Sequence, residues 1–359
     1  MKALIAAGGR GTRLRPITYT NNKHLIPIAN KPMLFYAIEA VAAAGITEIG
    51  LVFGPESHKA ISAAIAPLAT QGLRFTLMIQ DAPLGLAHVV RLAETFVAGD
   101  DFVFYLGDNL MTHDVRRCVD QFRSQHLNCL LVLAQVKEPQ RFGVAEIQAG
   151  RIVSVEEKPL QPKSSYAVAG LYIYDRSIFE AVSRLRPSAR GELEISDAHQ
   201  YLLDHGFRVG YTEIDGWWKD TGKPEDLLEA NRMVLEQMSA ARMMRHEGTV
   251  DGASTIEGNV TIEAGARVVA SRIRGPSIIG KNSVVERSYI GPFTAIGPDC
   301  GIVNSEIEYS ILLDGCRVND AEIRIERSLL GRGVEIIKGQ HRPRIQRLIV
   351  GDQSRIELP

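Results

Sequence analysis

The residues best suited to chemistry lie in a glycine- and arginine-rich loop that follows the first apolar run of the chain. The loop reads Ala7-Gly-Gly-Arg-Gly-Thr-Arg-Leu-Arg-Pro16. Glycine lets the backbone approach a ligand closely and adopt positive φ, so the N–H groups of such a loop could converge on a phosphate. A plain turn is the alternative, but it would not need three glycines and three arginines within eight residues. The candidate phosphate-binding residues are Gly8, Gly9, Gly11, Arg13 and Lys23.

Two better-known glycine motifs do not fit this loop. A dinucleotide-binding fingerprint needs a third glycine where Leu14 stands, and it needs a helix that Pro16 would interrupt. A Walker loop needs a terminal Gly-Lys-Ser/Thr, which is absent here. The loop therefore argues against a dehydrogenase and for a different kind of phosphate site.

Two aspartates follow predicted strands. Asp108 comes after the apolar run Phe102–Leu106, and Asp220 comes after Trp217-Trp218. Ligand sites of open α/β sheets lie at the carboxyl ends of strands. Two carboxylates combined with phosphate oxygens suit Mg²⁺, which takes few protein ligands.

The first part of the chain alternates apolar runs with runs of helical periodicity, which predicts a parallel sheet covered on both faces. The predicted strands are Lys2–Ala7, Ile49–Phe53, Phe75–Ile79 and Phe102–Leu106. The predicted helices are Pro32–Ala44, His58–Leu68, Leu84–Phe96, Val115–Gln125 and Pro224–Arg242. Four closely spaced strands then predict a mixed region packed against this sheet, namely Leu130–Val136, Val144–Ile147, Ile152–Val155 and Ala167–Tyr174.

The second part of the chain has a different composition and a six-residue repeat. Residues 248–359 hold 14 of the 32 glycines but only three of the 23 aromatic residues. An aliphatic side chain at every sixth position predicts short strands that stack as a triangular β-helix. The repeat positions are Ile256, Ile262 and Val268, then Ile278, Val284, Ile290, Ile296 and Ile302, with further displaced pairs at Leu312 and Val318 and at Ile323 and Leu329. We therefore predict a catalytic domain at 1–245 and a β-helix domain at 246–359, whose basic segment Lys338–Arg347 is its solvated end.

Composition excludes several classes of protein. The formal net charge is −1, which provides no field for nucleic acid or an anionic membrane. No apolar run reaches the ~20 residues of a membrane span, and the first apolar run is too short for a signal peptide. The four cysteines have no CxxC spacing, so neither a zinc site nor a disulfide framework is indicated, and a cytoplasmic location is expected.

Nine ordered segments resemble the sugar-1-phosphate nucleotidyltransferases, and in particular the glucose-1-phosphate thymidylyltransferases. The resemblance is collinear from residue 1 to about 240, and with the repeat behind it the chain is similar to the long form of that family. The segments are Gly8–Pro16, Lys23–Met33, Gln80–Ala87, Leu106–Asn109, Phe142–Val144, Glu156–Pro159, Tyr166–Tyr172, Arg190–Asp197 and Trp217–Gly222.

The resemblance implies an α/β Rossmann-like nucleotidyltransferase domain with a mixed, mostly parallel sheet, followed by a left-handed parallel β-helix of hexapeptide repeats. It also implies transfer of a thymidylyl group from dTTP to glucose-1-phosphate, with Mg²⁺ as cofactor and a homo-oligomeric assembly. The implied catalytic residues are Arg13, Lys23, Asp108, Lys158 and Asp220, of which Asp108 and Asp220 would hold the metal. The implied nucleotide-binding residues are Gly8, Gly9, Gly11, Thr12, Arg13, Gln80, Gly85 and Asp108. The implied sugar-binding residues are Gly143, Glu157, Lys158, Val168 and Tyr172, with Arg190 and Glu192 as further candidates.

Three other functions are alternatives to this one. Hexapeptide β-helices often carry acyl transfer with a catalytic histidine, but no histidine lies between His246 and His341. A non-catalytic scaffold of this fold would be free to lose its cations and carboxylates, which this chain retains. The same chemistry with UTP or another hexose-1-phosphate stays open, because uracil differs from thymine only by a methyl group.

Overall fold

The computed structural model describes residues 1–9, 11–20, 22–243 and 245–338. It divides into two compact units. The first unit comprises Met1–Gly11, Asn22–Ile26 and Pro32–Thr221, and the second comprises Thr12–Asn21, Pro27–Lys31 and Gly222–Pro359. The boundary near residue 245 stays a prediction, and the basic segment beyond Lys338 lies outside the described residues.

Strands and helices alternate along residues 2–240. The helices are α1 (Met33–Ala43), α2 (His58–Ala69), α3 (Leu86–Leu92), α4 (Glu94–Val97), α5 (Val115–Ser124), α6 (Ser177–Arg184), α7 (Ile195–Asp204) and α8 (Pro224–Ala240). The strands up to residue 220 are β1 (Lys2–Ala6), β2 (Pro27–Ile28), β3 (Lys31–Pro32), β4 (Glu48–Phe53), β5 (Arg74–Ile79), β6 (Phe102–Leu106), β7 (Asn109–Met111), β8 (Cys129–Gln135), β9 (Gly143–Gln148), β10 (Arg151–Glu157), β11 (Tyr166–Tyr174), β12 (Val209–Glu213) and β13 (Trp218–Asp220).

A nine-stranded sheet forms the centre of the first unit, in the order β10-β9-β11-β6-β1-β4-β5, with β8 pairing both β11 and β12. Strands β6, β1, β4 and β5 are parallel, as predicted. The region after residue 129 makes the sheet mixed, as predicted, and it joins the parallel strands within the same sheet. Its strand β11 pairs antiparallel along β6, with Leu171 opposite Tyr105, so the region extends the same sheet.

Two apolar cores cover the two faces of this sheet. Alternate residues of β1 enter different cores, Leu4 on one side and Ile5 on the other, and both are fully buried. This explains why the strand sequences are almost unbroken apolar runs. One predicted helix begins later than expected, at Leu86, because Gly85 has a φ of +94° that no helical residue adopts.

Among the described residues from 222 onward, the second unit contains α8 and sixteen short strands in three parallel sheets, which confirms the predicted left-handed β-helix. Its strands are β14 (Thr249–Val250), β15 (Thr255–Glu257), β16 (Val260–Ile262), β17 (Arg267–Val269), β18 (Arg272–Arg274), β19 (Ser277–Ile279), β20 (Val284–Glu286), β21 (Tyr289–Ile290), β22 (Ala295–Ile296), β23 (Gly301–Val303), β24 (Glu306–Glu308), β25 (Ile311–Leu312), β26 (Arg317–Asn319), β27 (Ile325–Glu326), β28 (Leu329–Leu330) and β29 (Glu335–Ile337). No helix in the described residues is long and apolar enough to cross a membrane.

The coils of the β-helix contain about 17 residues, not a strict multiple of six. Ile273 pairs with Ile256 one coil before it and with Ile290 one coil after it. One side of the triangle is therefore a residue shorter than the other two. For this reason the core contains Ile279 and Val285, where the strict repeat predicted Ile278 and Val284.

One of the three β-helix sheets is covered by other parts of the second unit. Asn231 of α8 donates a hydrogen bond to the Phe293 carbonyl at 3.0 Å and accepts one from Ala29 N–H at 2.9 Å. Asn30 donates to the Ile296 carbonyl at 2.8 Å. The outward residues of this sheet, such as Ile278, are consequently buried as well.

Candidate active site

The first strand and the fifth bring two predicted nucleotide-binding residues together. Gly8 follows β1, Gln80 follows β5, and a Cβ placed on Gly8 would lie 3.5 Å from Gln80 Oε1. Gln80 Nε2 donates to the Gly85 carbonyl at 3.2 Å. The structure therefore places Gly8, Gln80 and Gly85 in one cluster at the carboxyl ends of parallel strands.

The polarity of the Gln80 amide is fixed by its neighbours. Besides the Gly85 carbonyl, His88 Nδ1 lies 3.1 Å from Gln80 Nε2. Burial and the charge of Arg91 lower the pKa of His88, so its ring is neutral at pH 7 and Nδ1 can accept. The bond to the Gly85 carbonyl orients the Gln80 amide, and Oε1 is the atom turned toward Gly8.

A partly buried ion pair lies just after the end of β6. Lys23 Nζ contacts Asp108 Oδ2, and the Lys23 side chain is only 9% exposed. Asn109 Nδ2 donates to Asp108 Oδ1 at 2.9 Å. Burial opposes ionisation of Asp108, but the charge and hydrogen bond of Lys23 and the hydrogen bond of Asn109 hold its pKa well below the usual range. Asp108 is therefore an anion at any physiological pH.

The neighbouring His24 does not supply a proton near neutral pH. It is 1% exposed, and burial lowers its pKa to about 4. Its backbone N–H donates to the Asn22 side chain at 2.7 Å, which caps the short helical turn that carries Lys23.

A two-stranded ladder sets Asp220 beside Asp108. Strands β7 and β13 pair antiparallel with Asp220 opposite Asn109, the residue after Asp108. Thr221 locks this register, because its N–H and Oγ1 both donate to the Asp108 carbonyl, at 3.2 and 2.7 Å. Trp218 Nε1 donates to Asn109 Oδ1 at 2.6 Å.

These carboxylates fit a metal that is shared with a substrate. No group of three or more His, Cys, Asp or Glu among the described residues could hold a metal by itself. Mg²⁺ usually keeps one or two protein carboxylates and completes its shell with phosphate oxygens and water. Asp108 and Asp220 are a donor set of this size.

The predicted sugar-binding residues meet around Glu157, at the end of β10. Lys158 Nζ lies 3.3 Å and Arg190 Nη2 lies 3.2 Å from Glu157 Oε1. A Cβ on Gly143 would lie 3.3 Å from Oε2. Glu192 reaches the cluster only through Arg190, at 3.8 Å.

Val168 and Tyr172 lie on β11, where the pairing with β8 is interrupted between them. Within this irregular stretch Gly170 has a φ of +70°, and a Cβ there would lie 2.9 Å from the Asn109 side chain. The ring of Tyr172 is buried, and its pKa is raised by burial and by the charges of Glu157 and Asp108. Tyr172 therefore lies near both Glu157 and Asp108.

The remaining loop residues divide between the two units. Gly9 and Gly11, in the first unit, have φ of +105° and +56°, which requires glycine most strongly at Gly9. Thr12 and Arg13 belong to the second unit, where a Cβ on Gly222 would lie 3.2 Å from the Arg13 guanidinium. The roles of Thr12 and Arg13 beside Asp108 stay predictions.

Comparison with known proteins identifies the family. Residues 2–237 match the model of the nucleotidyl transferase family. The chain belongs to this family. It is therefore a nucleotidyltransferase enzyme, and its first unit carries most of the match.

Individual relatives agree with this assignment. A glucose-1-phosphate thymidylyltransferase of Streptomyces griseus is 46% identical over 100% of this chain and 99% of its own length. A Bacillus anthracis crystal structure with sucrose, assigned to the same activity, is 42% identical, with a TM-score of 0.62 over 65% of this chain and 94% of its own. A UDP-glucose pyrophosphorylase with UDP-glucose is 25% identical, with a TM-score of 0.59 over 66% of this chain and 98% of its own.

Several side chains of this nucleotidyltransferase site were not identified from the sequence. They are His88, Asn109, Thr221, Glu194 and Ser196, each of which holds a predicted residue in place. All five lie within or directly beside the quoted segments. Their position in or beside those segments could therefore have identified them as candidate site residues, whereas their residue types alone could not.

Proposed function

We propose that the enzyme transfers a thymidylyl group from dTTP to glucose-1-phosphate and releases pyrophosphate, giving dTDP-glucose. The observation that carries this proposal is the full-length similarity to the Streptomyces griseus enzyme of that name, in a chain that retains the predicted cations and carboxylates. A non-catalytic scaffold has no need to keep Lys23 and Asp108 buried against each other.

The reaction needs no general base. The second pKa of a sugar phosphate is about 6, so at pH 7 its phosphate is largely a dianion and already a nucleophile. One of its oxygens attacks the α-phosphorus of dTTP, a new P–O bond forms, and the bond to the β-phosphate oxygen breaks in line. The neutral, buried His24 agrees with a site that moves no proton.

The enzyme must instead bring two polyanions together. Lys23 and Arg13 would bind the triphosphate and the departing pyrophosphate, and Lys158 would bind the sugar phosphate. Arginine forks onto phosphate oxygens, whereas lysine acts as a point charge. Lys23 pairs with Asp108 in this structure, which supports a role for its ammonium beside the proposed metal site.

Asp108 and Asp220 would hold Mg²⁺, which when bound neutralises charge on the reacting phosphates. What the chain itself contributes is the alignment of the two residues, because the ladder of β7 and β13 sets Asp220 opposite Asn109, the residue after Asp108. Thr221 and Asn109 maintain that alignment through their hydrogen bonds to Asp108.

Gln80 would recognise the base. Thymine offers an N3–H donor, and Gln80 Oε1 is the acceptor left by the bonds from Nε2 to Gly85 and His88. Cytosine lacks that N3–H, so we expect it to be rejected. Uracil has the same edge as thymine, and the similar UDP-glucose pyrophosphorylase makes UTP the second candidate nucleotide.

Gly143, Glu157, Val168 and Tyr172 would contact the sugar, with Glu157 accepting from its hydroxyls. Another hexose-1-phosphate is the corresponding alternative on this side. We also propose that the protein works as a homo-oligomer in the cytoplasm, in agreement with four buried cysteines that form no disulfide.

The test is a matrix of dTTP, UTP, dCTP, dATP and dGTP against several hexose-1-phosphates, read by pyrophosphate release with Mg²⁺. We expect the highest kcat/KM for dTTP with glucose-1-phosphate. A higher value for UTP or another sugar would replace the proposed substrates, and no release with any pair would remove the catalytic function.

A further inference from the structure

The carboxylate of Glu157 is held on both of its oxygens. Oε1 faces the two cations Lys158 and Arg190, at 3.3 and 3.2 Å. Oε2 accepts a hydrogen bond from Ser196 Oγ at 2.7 Å. Ser196 is only 2% exposed, whereas the Glu157 side chain is 19% exposed. A buried hydroxyl therefore fixes the direction in which a partly exposed carboxylate points.

Hydrogen-bond capacity limits what Glu157 can still accept. An ionised carboxylate accepts about four hydrogen bonds, roughly two on each oxygen. Arg190 donates a hydrogen bond to Oε1, the Lys158 ammonium lies 3.3 Å from the same oxygen as an ion pair, and Ser196 takes one of the two directions on Oε2. Among the described contacts, Oε2 is the oxygen with no cation beside it, and it keeps one acceptor direction.

Gly143 lies beside that acceptor, and the Ser196 hydroxyl leaves no room for a side chain at this position. A Cβ on Gly143 would lie 2.5 Å from Ser196 Oγ and 3.3 Å from Glu157 Oε2. The φ of Gly143 is not positive, so glycine is needed here for space and not for backbone conformation. The missing side chain makes room both for the hydroxyl of Ser196 and for a ligand at Oε2.

Residues at the start of α7 hold the groups that contact both oxygens of the Glu157 carboxylate. Glu194, directly before this helix, accepts from Arg190 Nε at 3.1 Å and from Arg190 Nη2 at 2.7 Å, which holds the guanidinium against Oε1. Glu194 also accepts from Ser188 Oγ at 2.7 Å. Ser196, in the first turn of the same helix, holds Oε2.

We infer that Ser196 is a positioning residue that turns Glu157 into an acceptor for a single hydroxyl of the sugar phosphate, and thereby contributes to the choice of sugar. The inference rests on the proposed function, because it requires Glu157 to contact the sugar. It assigns to Ser196 no contact with the reacting phosphates.

The first test compares Ser196→Ala with Ser196→Thr, which keeps the hydroxyl. A hydrogen bond to a charged group is strong, so we expect Ser196→Ala to raise KM for glucose-1-phosphate roughly tenfold. KM for dTTP should stay within about twofold, and Ser196→Thr should restore most of the loss. An unchanged KM for the sugar phosphate, or an equal rise in both KM values, overturns the inference.

The matched control is Ser183→Ala on α6. Its hydroxyl donates to the Glu180 carbonyl at 2.7 Å, and this hydrogen bond does not involve Glu157. Both alanine variants lose one hydroxyl hydrogen bond, and both are compared by thermal unfolding. A sugar KM that rises in Ser183→Ala as well would show a general effect of stability and contradict the positioning role.

The second test uses the 2-, 3-, 4- and 6-deoxy analogues of glucose-1-phosphate. The analogue that lacks the hydroxyl read by Glu157 should have the same KM in the wild type and in Ser196→Ala, whereas the other three should keep the tenfold difference. Equal sensitivity of all four analogues, or insensitivity of two, contradicts a single acceptor direction.

These outcomes separate the inference from the proposed function. A wild type inactive with dTTP and glucose-1-phosphate removes the proposed substrates. If it uses another hexose-1-phosphate, the same KM comparison with that sugar decides the role of Ser196. An active wild type with an unchanged Ser196→Ala removes only the inference.

Discussion

Polar side chains are buried in both units, but they are arranged in different ways. In the β-helix, Ser271, Ser288 and Ser305 recur at intervals of 17 residues. Each donates to a backbone carbonyl two residues before it and accepts from the backbone of the next coil, at about 3 Å. In the first unit, Asn109 and Ser196 occur singly, and each donates to a carboxylate.

This difference indicates that the repeated polar residues stabilise the fold, whereas the single ones orient charged side chains of the site. A polar group that repeats with every coil satisfies the backbone groups of a corner, which would otherwise be buried without partners. A polar group that occurs once and holds a charged side chain has no such repeated task. It orients a carboxylate, and we expect its loss to alter kinetics more than stability.

The largest effect is expected from Asp220→Asn. It removes charge from the proposed metal site, so we expect kcat to fall about 1,000-fold while substrate binding changes far less. Steady-state kinetics and nucleotide titration measure the two quantities. A variant with near-normal kcat would remove Asp220 from the metal site. Asp114→Asn is the control, because Asp114 caps α5 and asparagine caps equally well.

Asp108→Asn should combine the same loss of rate with a loss of stability, because it leaves the buried Lys23 without its partner. Adding Lys23→Gln should restore the melting temperature but not kcat. If the double variant recovers activity, the pair of Lys23 and Asp108 is structural, which would contradict its proposed role in catalysis.

A smaller effect, on the pH dependence of stability, is expected at His199, and it tests whether a buried polar group that occurs only once can be purely structural. His199 is fully buried, its Nε2 lies 2.6 Å from Tyr174 Oη, and its Nδ1 has no hydrogen-bond partner among the described residues. Burial lowers its pKa to about 3. No charged residue depends on it through these contacts, so we assign it a structural role.

Below pH 6.5 the unfolded chain binds a proton at this position and the folded chain does not. We therefore expect the free energy of unfolding to fall as the pH drops from about 6.5 toward 3, with His199 contributing up to about 1.4 kcal/mol per pH unit. His199→Asn should reduce this slope. Denaturant unfolding from pH 7 to pH 5 measures it, and equal slopes in wild type and His199→Asn would contradict the assignment.

The smallest effect is expected from Ser288→Ala in the β-helix. The substitution leaves the Ser305 N–H without its acceptor, so we expect a loss of about 1–2 kcal/mol in the free energy of unfolding. Both KM values and kcat should be unchanged. Denaturant unfolding and steady-state kinetics of the same preparation check this. Altered kinetics in Ser288→Ala would mean that the repeated polar groups of the β-helix also serve the site, which would contradict their purely structural role.

Much of the fold and part of the site follow from the sequence. Apolar runs predicted the parallel strands β1, β4 and β6, because a strand buried on both faces has no polar alternation. The fourth predicted parallel strand, β5, lies at the edge of the sheet and is partly exposed. Asp108 was predicted because it directly follows such a strand. Gln80 could be singled out only through the segment around it, since one glutamine has no pattern of its own.

The remaining features depend on pairing between distant segments. The inward position of Ile279 depends on a coil of 17 residues, which becomes visible only when its partner Ile296 is known. The role of Ser196 depends on a contact between residues 39 positions apart, and neither serine nor its neighbours reveal that contact. Long-range contacts of single side chains are thus what sequence patterns leave undetermined.

The most direct test of the account follows the oxygen atoms of the sugar phosphate through the reaction. Glucose-1-phosphate labelled with ¹⁸O in its phosphate is incubated with dTTP and Mg²⁺, and the products are examined by mass spectrometry. Attack of the sugar phosphate on the α-phosphorus predicts that all of the label stays in dTDP-glucose and that the released pyrophosphate is unlabelled. Label in pyrophosphate, or pyrophosphate formed without a labelled sugar nucleotide, would contradict the account.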